Sequence, residues 1–237
     1  MKFTKKLGRS GKVAEVTDER SRAFDIAYSG EKAYLIKVVH NIESVNREQA
    51  ETIKKCASVV GAEPLFISGH GKTPLKENVV YRRHGIPVMK DKTFLKFMKG
   101  ERTFLADRGG IKVPIKGLGH AMRKVGMSRS TLAKLVGVSV EMVRKYEKGM
   151  AHPGEKVAGR LIDIFGDGII EKLHYEQKEV RKVYIGKAPF EMAVKRKKPI
   201  LISFKSSPER VKNLEAVSDV LDAEPVVTKD LEGIDLE

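Results

Sequence analysis

At 237 residues the chain can bury a substantial core and has room for two or three domains, which excludes a small scaffold held by disulfides or metal. Lys and Arg number 46 against 31 Asp and Glu, a formal net charge of +15, so a polyanion, and nucleic acid first, is the partner the charge favours. Cys56 is the only cysteine, which excludes an intrachain disulfide and a CxxC metal site, and no apolar run approaches the roughly 18 residues of a membrane span, so a cytoplasmic protein is expected.

In chain order, the basic, Gly-containing start MKFTKKLGRSGK reads as a mobile segment. Lys12 to Thr17 reads as a first strand, and Ala23 to Tyr28 and Ala33 to Val39 as two β-rich runs turning at Ser29, Gly30 and Glu31. From Ser44 to Val60 the apolar residues Ala50, Ile53, Ala57 and Val60 recur at helical spacing, with Ser44 as the expected N-cap. Pro64 to Ser68 is a further apolar strand. A strand hairpin, a crossover helix and a strand make an α/β layer, which Val79 to Arg83, a turn at Gly85 to Pro87 and a helix from Lys92 to Met98 complete.

Thr103 to Ile115 reads as a hairpin turning at Gly109 and Gly110. Leu118, Ala121, Met122 and Val125 mark a helix, weakened at its start by Gly117 and Gly119. The stretch Met127 to Gly149 then reads as two short helices joined by a tight turn. Ser128 caps the first, whose Leu132, Ala133 and Val136 form one buried face. Gly137 ends it in the left-handed turn that a Cβ would penalise, and Val138 plugs the angle between the helices. Ser139 caps the second helix, on which Val143 and Tyr146 face inward. Val140, Glu141, Arg144, Lys145 and Lys148 are left outward, the arrangement of a helix that enters a major groove. After Gly149 the loop MAHPGEK leads to a helix from Val157 to Phe165 that Gly166 ends. Ile169 to Leu173 adds a last turn, and His174 to Gly186 is a charged connector.

The N-terminal pattern then returns. AFDIAYSGEKAYLIKVV from Ala23 aligns with PFEMAVKRKKPILISFK from Pro189, placing Phe24 on Phe190, Asp25 on Glu191, Ala27 on Ala193, Leu35 on Leu201 and Ile36 on Ile202. GAEPLFI from Gly61 aligns with DAEPVVT from Asp222, so one hairpin, helix and strand unit occurs twice. Lys195 to Lys198, at the hairpin tip of the second copy, reads as a solvated turn. The six histidines show no pairing at ligand spacing, His84 and His120 read as surface or cap residues, and no metal or cofactor is expected. Gly69-His70-Gly71-Lys72 lacks the frame of a phosphate loop.

Ser128, Leu132, Ala133, Gly137, Val138, Ser139, Val143, Tyr146, Glu147, Gly149 and Pro153 together resemble the Cro/C1 class of helix-turn-helix proteins. Arg129 departs from it where a polar amide is usual, and Thr131 where an acid is common. Asp25 and Lys37 resemble part of the PD-(D/E)xK nuclease core, in which two carboxylates hold Mg²⁺ and a lysine positions the attacking water. The second carboxylate of that pattern belongs two residues before the lysine, where this chain has Leu35. The later copy has Glu191, Leu201 and Ser203 at the three positions, and Glu43 or Glu48 would have to supply the missing ligand.

Taken whole, with FDIAYSGEKAYLIKV, YRRHGIPV and the helix-turn-helix as its most telling strings, the chain resembles an archaeal family of Cro/C1-type helix-turn-helix transcriptional regulators. The fold expected is α/β plus all-α, a central Cro/C1-type helical DNA-binding bundle flanked by two related α/β lobes, the N-terminal one restriction-endonuclease-like and the C-terminal one a shorter copy. The boundaries expected are 1–102, 103–173 with the motif at 128–148, and 174–237. The resemblance implies a non-enzymatic regulator that binds double-stranded DNA as a homodimer, with an effector or a transcription-machinery protein as a further partner. Ser128, Arg129, Lys145 and Lys148 are the expected phosphate-side residues, Val140, Glu141 and Arg144 the base readers, and Ser139 at the cap of the second helix is the remaining expected DNA-binding residue. The competing readings are a Mg²⁺-dependent nuclease using Asp25 and Lys37, and a coactivator-type bridging protein.

Overall fold

The structure, a computed structural model, describes residues 2–17, 23–72, 74–101, 103–107, 110–171, 179–185, 188–204 and 207–231. It divides into two compact units, one of residues 1–76, 82–95 and 175–237, the other of residues 77–81 and 96–174. Both α/β copies fall in the first unit and the helix-turn-helix in the second. No helix among the described residues is long and apolar enough to cross a membrane.

The first unit opens with helix α1 (Lys2–Leu7), where the sequence suggested a mobile start. Phe3 and Leu7 lie four residues apart, on one helical face. Leu7 is fully buried and the Phe3 ring meets Phe94, which gives the short helix an anchor. Strands β1 (Lys12–Glu15), β2 (Ile26–Ser29) and β3 (Ala33–Asn41) form an antiparallel meander. The β2–β3 turn needs Gly30, because a Cβ there would stand 2.3 Å from the Tyr28 hydroxyl oxygen.

Helix α2 (Arg47–Val59) buries Ala50, Ile53 and Ala57, the face the spacing predicts. Its cap is Asn46 rather than Ser44. The Asn46 side chain accepts from the Gln49 backbone N–H at 2.8 Å, and the Gln49 side chain accepts in return from Asn46 N–H at 3.1 Å. Ser44 instead donates to the Asn41 carbonyl and closes a 3₁₀ turn over Ile42–Ser44. Strand β4 (Glu63–His70) runs parallel to β3. Strand β5 (Val79–Arg83) turns at His84 and Gly85, both at positive φ, directly into β6 (Ile86–Met89), which lies parallel to β4. From its composition Gly85 to Pro87 is expected as a turn. The structure makes Ile86 and Pro87 strand, because Ile86, Val88 and Met89 are all buried. Helix α3 (Asp91–Met98) follows, and its buried Phe94 meets Tyr34 and Tyr28 edge-on.

In the second unit β7 (Phe104–Asp107) pairs antiparallel with β8 (Gly110–Lys112). The hairpin is as expected, although Gly109 of its turn lies outside the described residues. Val113 N–H donates to Pro153 O, Lys116 N–H to Ile169 O and Glu171 N–H to Pro114 O, so residues 113–116 are laced between the loop after the bundle's third helix and the turn after its last. The bundle consists of α4 (Leu118–Lys124), α5 (Arg129–Val136), α6 (Val140–Glu147), α7 (Glu155–Phe165) and a 3₁₀ turn at Asp167–Ile169. One core joins them, with Leu118, Met122, Leu132, Val136, Val143 and Leu161 at its centre and Val138 packed against it.

The chain then completes the first unit with β9 (Lys182–Tyr184), β10 (Met192–Val194), β11 (Ile200–Ser203), α8 (Pro208–Leu221) and β12 (Glu224–Val227), in sheet order β12-β11-β10-β9. The two copies agree bond by bond. Ala27 pairs with Leu35 and Ala193 with Leu201, while Leu35 pairs with Pro64 and Leu201 with Pro225. Asp25 N–H donates to Ile36 O and Glu191 N–H to Ile202 O, each at 2.9 Å. The repeat also takes in β1 and β9, which sequence comparison missed.

The copies pack reciprocally. Helix α8 lies on β1 and β2, α2 contacts β9 and β10, and the equivalent rings Phe24 and Phe190 meet at 6.4 Å. Asn213 of α8 accepts from both the Thr17 N–H and hydroxyl, and Ser58 of α2 accepts from Val180 N–H.

Candidate nucleic-acid interface

Helices α5 and α6 are set by their ends. The Ser128 hydroxyl accepts from Thr131 N–H and the Ser139 hydroxyl from Met142 N–H, both at 3.1 Å, which satisfies a free amide at each N-terminus. Gly137 ends α5 at φ 73°. Arg160 of α7, which sequence reasoning did not single out, donates from Nη1 to the Val136 carbonyl at 3.0 Å and finishes the same helix end. With Leu132, Val136, Val143 and Tyr146 buried beneath and Met142 packed against the same core, Val140, Glu141, Arg144 and Lys145 of α6 are presented outward.

Ser128, Arg129, Ser139, Val140, Glu141, Arg144, Lys145 and Lys148 are all exposed. Two ion pairs that the sequence does not reveal involve them, one with each other and one with Glu147. Arg129 Nε donates to Glu147 Oε2, tying the start of α5 to the end of α6. Arg144 Nε and Nη2 donate to the two oxygens of Glu141, at 2.9 and 3.0 Å. The hydrogen bond from Arg144 holds the Glu141 carboxyl below its ordinary range, with Lys145 and Lys148 acting the same way. Arg144 is correspondingly held above its own value by Glu141. Lys145 and Lys148 make no ion pair with any other described residue. Segments 77–81 and 96–174 together carry 16 Lys and Arg against 9 Asp and Glu, so this unit is basic in its own right.

The nuclease-like positions of the first unit are occupied differently. Lys37 Nζ donates to Asp25 Oδ1 and the Val38 N–H to Asp25 Oδ2, both at 2.7 Å. Leu35 is fully buried. Glu43 is held by Arg83, which also donates to its carbonyl, while His84 Nε2 lies 3.0 Å from the Val45 carbonyl. In the second copy Glu191 accepts from Arg210 Nη2 at 2.6 Å and from Phe204 N–H at 3.0 Å. The Ser203 hydroxyl donates to Glu191 as well and accepts from Arg210 Nε. His40 and His70 stack at 5.4 Å, a proximity no spacing rule showed, yet among the described residues no three His, Cys, Asp or Glu side chains are grouped to hold a metal ion. At the second hairpin tip, Lys195 pairs with Glu179 and Lys198 with Asp222.

Comparison with known proteins agrees with both halves of this description. Residues 120–166 match the helix-turn-helix family of Cro/C1 type, and residues 2–103 match the PD-(D/E)XK superfamily domain. The chain therefore carries a helix-turn-helix domain beside a PD-(D/E)XK domain. It is similar over 92% of its length, at 29% identity, to an Archaeoglobus fulgidus protein named "Putative HTH-type transcriptional regulatory protein", of which it covers 82%. Proteins of the same description from Pyrococcus furiosus and Methanothermobacter thermautotrophicus are 32% and 39% identical over 72% and 55% of this chain. The chain spans about half the length of those two, 56% and 43%. No solved structure matches.

Proposed function

We propose that this protein is a transcriptional regulator that binds double-stranded DNA in a sequence-directed way through residues 103–173, with α6 in the major groove. The observation that carries the reading is the exposed polar face of α6 on a capped, fully packed helix-turn-helix, in a basic unit matched to that family. The names of the archaeal relatives support regulation as the role. Ser128, Arg129, Ser139, Lys145 and Lys148 face the phosphates. Val140, Glu141 and Arg144 face the base edges, Val140 suiting a thymine methyl and Arg144 a guanine. Arg144→Ala should weaken binding by about 1–3 kcal/mol and relax discrimination at one base pair. Competition against point-mutated sites measures it, and equal loss on every sequence contradicts the assignment.

One such motif covers a half-site, so a homodimer spaced about one helical turn apart is the expected DNA-binding form. Because the two α/β copies already pack on each other within one chain, the dimer contact uses a different face. A monomeric mass by light scattering, with and without site DNA, would sink the dimer. The nuclease reading is disfavoured by the buried Leu35 at the place of the second carboxylate and by the capture of Glu43 by Arg83, although Lys37 and Asp25 do stand together. Mg²⁺-dependent plasmid cleavage abolished by Asp25→Asn would restore it.

A further inference from the structure

We propose that Glu141 is a positioning residue for guanine recognition: it holds the side edge of the Arg144 guanidinium so that the end of the fork is presented to a single guanine. The inference rests on the reading of α6 as the groove-entering helix.

A guanidinium has two edges that can each make a bidentate contact. One is formed by Nε–H and an Nη2–H, the other by Nη1–H and the second Nη2–H. Glu141 takes the first edge with both oxygens, at 2.9 and 3.0 Å. What remains free is the end edge, whose two parallel hydrogens match the O6 and N7 acceptors of guanine in the major groove. The two residues lie one turn apart on α6, and both side chains are about half exposed, 53% for Glu141 and 47% for Arg144, so the pair stands at the surface the groove would meet.

The pairing acts in two ways. It removes rotamer freedom from a long side chain before DNA arrives, so less entropy is lost when the guanine contact forms. It also places a carboxylate beside the arginine, which repels phosphate oxygens and lowers the return from a non-specific backbone contact. Lys145 and Lys148, which have no such partner among the described residues, remain the phosphate-side cations. Glu141 thus acts through Arg144.

The test is a set of binding competitions between a selected site and versions with the guanine replaced, using wild type, Glu141→Ala, Glu141→Gln and Arg144→Ala on the full-length protein. Exposure of Glu141 makes loss of folding an unneeded explanation for its variants, and circular dichroism checks it. The expected result is that Arg144→Ala loses the preference by about tenfold or more, and that Glu141→Ala loses part of it at the same base pair, about two- to fivefold, the range that an exposed ion pair one helical turn apart can support. Glu141→Ala should at the same time bind random duplex as tightly as wild type or tighter, and Glu141→Gln, which keeps one acceptor, should recover part of the preference. A preference lost in Arg144→Ala but kept in Glu141→Ala overturns the positioning role and leaves DNA reading by α6 intact. Loss at a different base pair in Glu141→Ala overturns it too, because Glu141 would then read a base directly. A preference that neither variant disturbs overturns the placement of α6 in the groove itself.

Discussion

The two α/β copies place an acid at the same position, Asp25 in one and Glu191 in the other, and hold it with a cation taken from a different place. That difference predicts unequal costs. In the second copy the Arg210 side chain is 5% exposed and Glu191 17%, so Arg210→Met leaves a carboxylate without its counter-ion in a site with little water, where Phe204 N–H and the Ser203 hydroxyl still donate to it. Removing one partner of a buried pair costs about 3–5 kcal/mol. In the first copy Lys37 and Asp25 are 18% and 31% exposed, water reaches both, and Val38 N–H stays in place. Lys37→Met should cost about 1–2 kcal/mol, the range of a charged hydrogen bond discounted for solvent. Methionine keeps the aliphatic length in each case. Urea unfolding followed by far-UV circular dichroism reads both, with separate transitions fitted if the two units unfold apart. Adding Glu191→Gln to Arg210→Met should recover part of the loss, since no charge is then stranded. Equal losses in the two single variants would refute the assignment of Arg210 as the internal counter-ion of the second copy.

The helix-turn-helix offers a second backbone test. Gly137→Ala puts a Cβ at φ 73° and 2.9 Å from Arg160 Nη1, displacing its bond to the Val136 carbonyl, so about 2–3 kcal/mol should be lost on thermal unfolding. A change under about 1 kcal/mol would contradict the geometry. Cys56 is fully buried, and burial pushes its thiol well up, so thiol reagents should label it only on unfolding. The same shift makes the unfolded thiol release its proton first, so its contribution to stability should fall as pH rises beyond the ordinary thiol range of about 8.5. Lys145→Ala and Lys148→Ala should each weaken binding to all duplexes alike and reduce the salt slope by about 1.

Much of the helix-turn-helix was legible because it is written in local rules. Ser128 and Ser139 cap, Gly137 takes the left-handed turn, and the buried and exposed faces follow the helical period. The repeat was legible too, since Ala-Glu-Pro and the Phe-acid-x-Ala string sit at equivalent registers. What escaped is what depends on contacts distant in sequence or on rotamers. The cap of α2 moved from Ser44 to Asn46 because Gln49 stands three residues after Asn46 and completes a reciprocal box. Helix α1 formed because Phe3 and Leu7 find a core that its composition does not announce. A single sequence places Glu141 and Arg144 on one face but does not say that they join, and the Arg129–Glu147 pair spans two helices. The packing of one copy on the other is a contact between surfaces far apart in the chain, seen only once Phe24 meets Phe190.

The most direct test of DNA reading is to select binding sites from random duplex DNA with the purified protein at about physiological salt, since phosphate contacts inflate affinity below it. A dimeric regulator reading bases through α6 predicts a palindromic motif with a guanine in each half-site, half-sites about one helical turn apart, and loss of that guanine preference in Arg144→Ala. Binding that enriches no motif and vanishes with a modest rise in salt would contradict it.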